Sequence, residues 1–348
     1  MSELMHLPNE IASEDELDWF LAEPSLPLVE NINVLKDGLI LLGAGGKLGL
    51  TLALMSKRAA EKAGLKIPIF AVSRFSNSVQ KERFAKFGIE TISCDLLDPK
   101  NVERLPDVPN VVFMVGYKFG TTGNEPLTWV INAYLPGVVA RRYSESRILV
   151  FSTGNVYPFV AVESSGADEN TPPNPIGEYA QSCLGRERVF QYFCITQRTP
   201  TAIIRLNYAV ELRYGVLVDI AKAVWDGQPV DLSMPYVNVI WQSDACDWAL
   251  RAFSLCSVPA TILNVTGPEK VSVRAVAEKF GEIFGRTPKF KGREAPTALL
   301  SNSTRACQIF GKPRINLEQM VIWIADWIMR GGILHNKPTH FWEREGRF

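Results

Sequence analysis

The stretch GLILLGAGGKLGL, residues 38–50, decides the fold. A short apolar run ends in a glycine-rich turn, Gly43 to Gly49, and an amphipathic stretch follows from Leu48 to Ala63. Glycine permits a tight turn and lets backbone N–H groups approach an anion, while a helix N-terminus favours negative charge. The order strand, glycine turn, helix therefore predicts that Gly43, Gly45, Gly46, Lys47, Leu48 and Gly49 bind the pyrophosphate of a dinucleotide.

The same rhythm continues along the chain. Further apolar runs at 67–73, 90–94, 111–115, 147–152 and 202–206 are separated by helical stretches, which is typical of buried parallel strands with crossover helices. We therefore predict an α/β fold with a Rossmann-type doubly wound parallel sheet. The predicted parts are an N-terminal extension (1–36), an NAD(P)-binding domain (37–206), and a smaller mixed α/β lobe that is mainly substrate-binding and interleaved with it (207–348).

Composition narrows the class of protein. The 348 residues carry 37 Lys plus Arg and 37 Asp plus Glu, so no net charge attracts nucleic acid or an anionic membrane. The six cysteines are scattered without a CxxC pair, and the first residues lack a secretory pattern, so we expect a cytoplasmic protein. The three histidines lie near the ends of the sequence, which argues against a metal site. The expected partner is a small molecule.

The end of the second strand bears on the choice of dinucleotide. It reads Val72-Ser73-Arg74, without the carboxylate that would hold a free ribose 2′-OH. Because arginine suits a 2′-phosphate, NADP is favoured over NAD, although Arg74 could equally be a solvated charge. After the third strand, Asp95 and Leu96 are placed to meet the adenine, and turn capping explains Asp95 almost as well.

Several motifs in order carry a resemblance to a known family. They are GxxGxxG at Gly43, Gly46 and Gly49, Ser152-Thr153-Gly-Asn-Val156-Tyr157, Asp168-Glu169-Asn-Thr-Pro172 leading to Tyr179, Ile204-Arg205-Leu206-Asn207, Asp244, Asn264-Val-Thr-Gly267 and Phe310-Gly311-Lys-Pro313. Over about residues 38–330 the chain resembles the extended short-chain dehydrogenase/reductase family of NAD(P)-dependent sugar epimerases, dehydratases and reductases.

The resemblance implies roles for two residues and exposes one departure. Thr153 would orient the substrate, and Tyr179 would be the acid/base that exchanges a proton with it. The family carries a lysine four residues after the tyrosine, which contacts the nicotinamide ribose and lowers the tyrosine pKa from about 10. Here that position is Cys183, which as a buried thiol is most simply an apolar filler.

Other cations could take the place of the missing lysine. Lys118, after the fourth strand and Gly116, resembles a lysine that lies along the cofactor in UDP-galactose epimerases. It is either such a contact or a solvated loop residue. Arg186, seven residues past Tyr179, shares its helix face but lies one turn too far along.

The substrate side also departs from the family pattern. The stretches 234–241 and 295–301 lack the arginines that usually hold a nucleotide diphosphate sugar. This favours a smaller polyhydroxylated or carboxylated substrate, with Arg213 as the partner of a carboxylate if one exists. The candidate contacts, each of which could instead be ordinary packing, are Asn155, Asn207, Tyr208, Arg213, Trp241 and Gln242.

Three hypotheses for function follow. The first is an NAD(P)-dependent oxidoreductase, epimerase or dehydratase acting by hydride transfer on a small carbohydrate-like substrate or sugar acid. The second is a catalytically degenerate dinucleotide-binding protein, and the third is a regulatory partner that senses redox state. The resemblance also implies a homodimer formed through helices at 127–143 and 179–196.

Overall fold

The computed structural model describes residues 7–8 and 10–348. Residues 1–6 and 9 of the predicted N-terminal extension, His6 among them, lie outside this part. The described strands are β1 (Leu39–Leu42), β2 (Ile69–Ser73), β3 (Glu90–Ser93), β4 (Asn110–Phe113), β5 (Arg147–Thr153), β6 (Val160–Ala161), β7 (Thr201–Leu206), β8 (Ala209–Val210), β9 (Pro229–Asp231), β10 (Tyr236–Val237), β11 (Ile240–Trp241), β12 (Thr261–Val265), β13 (Val271–Ser272), β14 (Lys289–Lys291) and β15 (Thr297–Ala298).

The helices agree with the periodicity of the sequence to within a few residues at most ends. They are α1 (Glu14–Leu21), α2 (Leu26–Asn31), α3 (Gly49–Lys62), α4 (Ser78–Lys86), α5 (Pro99–Glu103), α6 (Glu125–Trp129), α7 (Leu135–Arg142), α8 (Gly177–Gln197), α9 (Val216–Trp225), α10 (Gln242–Arg251), α11 (Val273–Phe284), α12 (Thr304–Phe310) and α13 (Leu317–Met329). The continuous helix predicted at 127–143 is divided, because a π-helical segment, Val130–Tyr134, separates α6 from α7.

Seven strands form one parallel sheet in the order β12-β7-β5-β4-β1-β2-β3. Alternate residues of β1 face opposite sides, as the pleat requires. Leu39 and Leu41 pack with α3 and α10, whereas Ile40 and Leu42 pack with α7 and α8. The predicted doubly wound α/β fold is confirmed.

The connection pattern locates a crevice. From β1 the chain crosses to β2 on one side, while β4 lies on the other side of β1. In open α/β sheets, ligands bind outside the carboxyl ends of the strands where the order reverses in this way. The glycine turn after β1 lies at this point.

The second lobe is built on α9, α11 and α13. Apolar residues of these helices form one buried cluster, which also takes in Leu17 and Leu21 of α1. The described part of the N-terminal extension thus packs into the protein and contributes to its core. Among the described residues, no helix has the length and apolarity needed to cross a bilayer, and no group of three or more potential metal ligands occurs.

Candidate active site

The glycine turn has a shape that larger residues would not allow. Gly43 has φ +97°, and a Cβ there would lie 2.8 Å from the backbone nitrogen of Val115. A Cβ on Gly49 would lie 1.9 Å from the Ala44 carbonyl oxygen. At Gly46, by contrast, a Cβ would meet a single neighbouring atom, the Gly43 carbonyl oxygen at 3.4 Å.

The turn fits an anionic ligand. No side chain caps the start of α3, so its first N–H groups have no side-chain partner. Gly46 also lines a cavity of about 660 Å³. A cradle of glycine backbone at an uncapped helix N-terminus suits a pyrophosphate, and therefore a dinucleotide.

The same cavity reaches Thr153 and Tyr179. Thr153 ends β5, and Tyr179 lies in the first turn of α8. The Thr153 hydroxyl accepts hydrogen bonds from the backbone N–H and side-chain amide of Asn155, at 3.1 and 3.0 Å. The structure thus brings the two residues expected to handle the proton to one end of a cleft whose other end is the glycine turn.

The phenol of Tyr179 is held in its protonated form. Burial raises its pKa well above the ordinary value, and Cys183 raises it further, while Arg186 and a hydrogen bond with Thr153 lower it. At neutral pH the group is consequently a proton donor.

Cys183 is a packing residue in this structure. Its side chain is fully buried in a small cluster with Val156, Tyr157 and Ala167, against which Tyr179 packs. Burial raises the pKa of its thiol, so the group is neutral at physiological pH. It supplies no charge to the tyrosine.

Two cations lie close to Tyr179. The Lys118 ammonium is 5.7 Å from the centre of the tyrosine ring and donates to the Thr339 carbonyl at 3.2 Å. Burial lowers the pKa of Lys118 to about 8. Arg186, on α8, is buried and donates to the Phe151 carbonyl and the Asn132 side chain, each at 2.8 Å.

Arg186 is nearer to the tyrosine than its sequence position indicated. Side chains on a helix lean towards its N-terminus, so a long guanidinium group spans the extra turn. Arg186 lines the cavity and lowers the pKa of Tyr179. Its Nε has no hydrogen-bond partner among the described residues.

Lys47 extends from the glycine turn across the cleft to the ring of Tyr214. Burial lowers its pKa to about 7, with further lowering by Lys118 and Lys337. The Asp219 carboxylate acts in the other direction and raises the pKa of Lys47. Asp219 itself accepts hydrogen bonds from the Thr339 N–H and hydroxyl at 2.7 and 2.6 Å. Two amino groups that can carry a positive charge, those of Lys47 and Lys118, therefore line the cleft.

The four residues predicted to contact the adenosine differ in their exposure and contacts. Ser73 packs beside Gly45, where a Cβ would lie 2.5 Å from its hydroxyl oxygen. Arg74 is exposed to solvent, and Leu96 is buried. Asp95 is exposed and caps a turn by accepting from the Leu97 N–H at 3.0 Å.

Gly116 and five of the six predicted substrate contacts line the cavity. The five are Asn155, Asn207, Tyr208, Arg213 and Gln242. The side-chain nitrogen of Asn207 is buried without a hydrogen-bond partner among the described residues, so its donor capacity is unused. Gln242 instead donates to Thr51, at 2.9 Å.

Two of the six predicted contacts make strong contacts within the protein. Arg213 lines the cavity, but it is mostly buried and pairs with three carboxylates of its own chain, Glu14, Asp18 and Glu211, at 3.2, 2.9 and 2.9 Å. Trp241 is fully buried in the core of the second lobe, 5.5 Å from Trp323 between ring centres. The charge of Arg213 is therefore already balanced, and Trp241 does not line the cavity.

Sequence reasoning missed the contribution of the C-terminal segment. Its Thr339 holds Asp219 and Lys118, and Phe348 packs on Tyr179 with ring centres 5.5 Å apart. No signal in the sequence connects these residues, because the contacts join positions more than 100 residues apart.

Comparison with known proteins supports the fold. No family model matches the chain, and no curated protein matches it by sequence. Among solved structures, UDP-glucuronic acid 4-epimerase from Bacillus cereus, in complex with UDP-glucuronic acid and NAD, is 15% identical with a TM-score of 0.70; the match covers 84% of this chain and 99% of that one. Pal from Bacillus thuringiensis is 18% identical with a TM-score of 0.69 and the same coverage.

A third similar structure is UDP-glucose 4-epimerase from Thermus thermophilus in complex with NAD. It is 20% identical with a TM-score of 0.67, and the match covers 85% of this chain and 99% of that one. At such identities the similarity shows a shared fold. The chain thus has the fold of NAD-dependent sugar-nucleotide epimerases, in agreement with the resemblance seen in its motifs.

Proposed function

We propose that the protein is an NAD(P)-dependent oxidoreductase of the epimerase, dehydratase or reductase type. The observation that carries the proposal is the single cavity joining an open glycine cradle at Gly46 to Thr153 and Tyr179. The cradle would hold the pyrophosphate of a dinucleotide, and Thr153 and Tyr179 line the same cavity as the cradle. The bound nicotinamide supplies or accepts a hydride.

The chain's own residues hold the cofactor and move the proton. The N-terminus of α3 and Lys47 hold the pyrophosphate, and Lys118 lies towards the nicotinamide end. Thr153 orients the substrate oxygen, and Tyr179 donates its proton to it when the substrate is reduced. Because Tyr179 stays protonated at neutral pH, reduction is favoured over oxidation.

NADP remains the proposed cofactor in preference to NAD. The absence of a carboxylate at the end of β2 and the exposed Arg74 beside it support this choice. The similar structures hold NAD, so both dinucleotides belong in the test. An affinity for NADH above that for NADPH would overturn the preference and leave the oxidoreductase proposal intact.

The proposed substrate is a small carbohydrate-like molecule or sugar acid. The similar epimerases bind UDP-sugars, but the stretches where arginines would hold a diphosphate contain none here. Arg213 is already neutralised by three carboxylates, so we assign no substrate carboxylate to it. Asn207, with its unpaired donor, is the proposed contact for a substrate hydroxyl.

The experiment compares Tyr179→Phe with Tyr192→Phe, which removes a hydroxyl from a side chain that is 62% exposed. NADH and NADPH oxidation is followed with a panel of sugars, sugar acids and UDP-sugars. Loss of a general acid is expected to lower kcat/KM by roughly 10²–10⁴-fold, without weakening dinucleotide binding. Equal turnover by both variants would remove Tyr179 from the mechanism, and dinucleotide binding without turnover on any compound would favour the degenerate binding protein.

We also propose a homodimer through α6, α7 and α8. These helices and the π-helical segment between α6 and α7 expose large apolar side chains, namely Trp129, Val130, Tyr134, Tyr192 and Ile195. Because these helices pack side by side, exposed apolar residues on them favour burial against a second copy. Light scattering should give a dimer mass for the wild-type protein and a monomer mass for Tyr134→Glu combined with Ile195→Glu. A monomer mass for the wild-type protein would refute the proposed dimer.

A cytoplasmic location is a further proposal. All six cysteines are free thiols in the structure, which suits a reducing compartment.

A further inference from the structure

Residues 343–348, here called the strap, bring Phe348 against Tyr179, which lines the cleft. They form neither helix nor strand, so their position depends on contacts with the rest of the protein. Phe341, just before the strap, is buried in the core of the second lobe and fixes its starting point. The strap can therefore move while residue 341 stays in place.

The strap docks at defined points. Arg344 donates to the Thr297 carbonyl at 2.9 Å and to its hydroxyl at 2.6 Å. Gly346 has φ +73° and lies so close to α8 that a Cβ there would be 2.4 Å from the Ile176 carbonyl oxygen. The Thr122 N–H donates to the Phe348 carbonyl at 3.1 Å.

Phe348 covers the proposed catalytic tyrosine. Its ring lies edge-on to that of Tyr179, at an interplanar angle of 76° with centres 5.5 Å apart. The Lys118 ammonium is 4.3 Å from the centre of the Phe348 ring. A substrate that reaches the phenol needs this space.

Docking of Phe348 also occupies two donors. One is the Thr122 N–H, and the other is the Lys118 ammonium, which faces the Phe348 ring. A ring face is a weaker partner for a buried ammonium group than a carboxylate or phosphate, which would accept a charge-assisted hydrogen bond. An anion at this place would therefore bind the Lys118 ammonium more strongly than the Phe348 ring does.

We propose that Lys118 and the Thr122 N–H form an anion subsite next to Tyr179, which the strap occupies until a carboxylate- or phosphate-bearing ligand displaces Phe348. This inference rests on the proposed function, because it assigns the charged group of the same substrate. It makes Phe348 a residue that decides which molecules reach the phenol.

The test measures hydrogen exchange of the strap amides by mass spectrometry in the full chain. Gly346→Val opposes docking through both its φ and the close contact with residue 176, and we expect roughly tenfold faster exchange, since a left-handed non-glycine residue costs about one decade in equilibrium. Arg347→Gln, at an exposed position of the same strap, is the matched control and should exchange like the wild-type protein.

The ligand arm uses D-glucuronate and inorganic phosphate as anions and D-glucose as the neutral match, at equal ionic strength. We expect at least one anion to accelerate strap exchange in the wild-type protein and D-glucose to leave it unchanged. Lys118→Met should abolish the acceleration. Unchanged exchange in Gly346→Val would overturn the displaceable strap, and no acceleration by either anion would overturn the subsite.

Dinucleotide binding is measured in parallel on each protein. If neither NADH nor NADPH binds the wild-type chain, the proposed function fails, whatever the strap does. If a dinucleotide binds but neither anion changes the exchange of the strap amides, only the proposed anion subsite is refuted.

Discussion

Substitution of Gly46 by alanine should weaken dinucleotide binding roughly a hundredfold while leaving the fold unchanged. The new methyl group would meet one protein atom, the Gly43 carbonyl oxygen at 3.4 Å, so the turn needs little or no adjustment. The methyl group would instead project where a pyrophosphate must approach the backbone. The same substitution at Gly49 would drive a Cβ to 1.9 Å from the Ala44 carbonyl oxygen and should destabilise the protein.

The magnitude follows from the hydrogen bonds at stake. A pyrophosphate displaced from the start of α3 loses about two charge-assisted hydrogen bonds, each worth roughly 1.5–3 kcal/mol. A loss of about 3 kcal/mol corresponds to a Kd raised by roughly 10²-fold. The free energy of unfolding should change by less than about 1 kcal/mol, since an alanine in an open position with an unstrained backbone costs little.

The assay is a fluorescence titration with NADH and NADPH, run beside urea unfolding of the same preparations. We predict weakened binding at normal stability for Gly46→Ala, and reduced stability for Gly49→Ala. Unaltered affinity in a folded Gly46→Ala protein would refute the assignment of the glycine turn to the pyrophosphate.

Three further predictions concern charge and packing. Because the pKa of Lys47 is about 7, its positive charge is present below that pH and lost above it, so the Kd for NADH should rise as the pH increases from 6 to 8.5. The Lys47→Gln variant should show a flatter dependence on pH, and parallel curves for the two proteins would contradict this role of Lys47. Cys183→Ala should lower the free energy of unfolding by about 1–2 kcal/mol, because it leaves a small cavity. Cys183→Lys adds an ammonium group near Arg186 and should destabilise the protein more, with no gain in turnover. Higher turnover would show that the lysine absent from this position limits activity. Glu187→Gln should lower the unfolding free energy by about 3–5 kcal/mol, because this fully buried carboxylate pairs with Arg205 at 2.7 Å; a normal unfolding curve would refute the estimate.

The sequence was informative where local pattern determines structure. The apolar run at 39–42 followed by glycines predicts a buried strand and a tight turn, and both occur with the expected bounds. The helix carrying Tyr179 was equally predictable, because its start follows a proline-rich stretch. The pairing of Thr153 with Tyr179 was implied by the resemblance to the extended short-chain family, and both residues line the same cavity.

Contacts between distant parts of the chain could not be predicted in the same way. Arg213 was a candidate partner for a substrate carboxylate, but Asp18, almost 200 residues earlier, neutralises it together with two other carboxylates. Trp241 was a candidate contact with ordinary packing as the alternative, and its ring packs in the core, because a strand of two residues carries no pattern that shows which face is buried. The strap has no periodicity at all, so nothing in its composition revealed where it docks.

The most direct test of the central claim is a crystal structure of the protein with NADH or NADPH bound. The account predicts the pyrophosphate at the start of α3 beside Gly46, and the nicotinamide next to Tyr179. A dinucleotide bound in the reverse direction, or at another place with the Gly46 cradle empty, would contradict it.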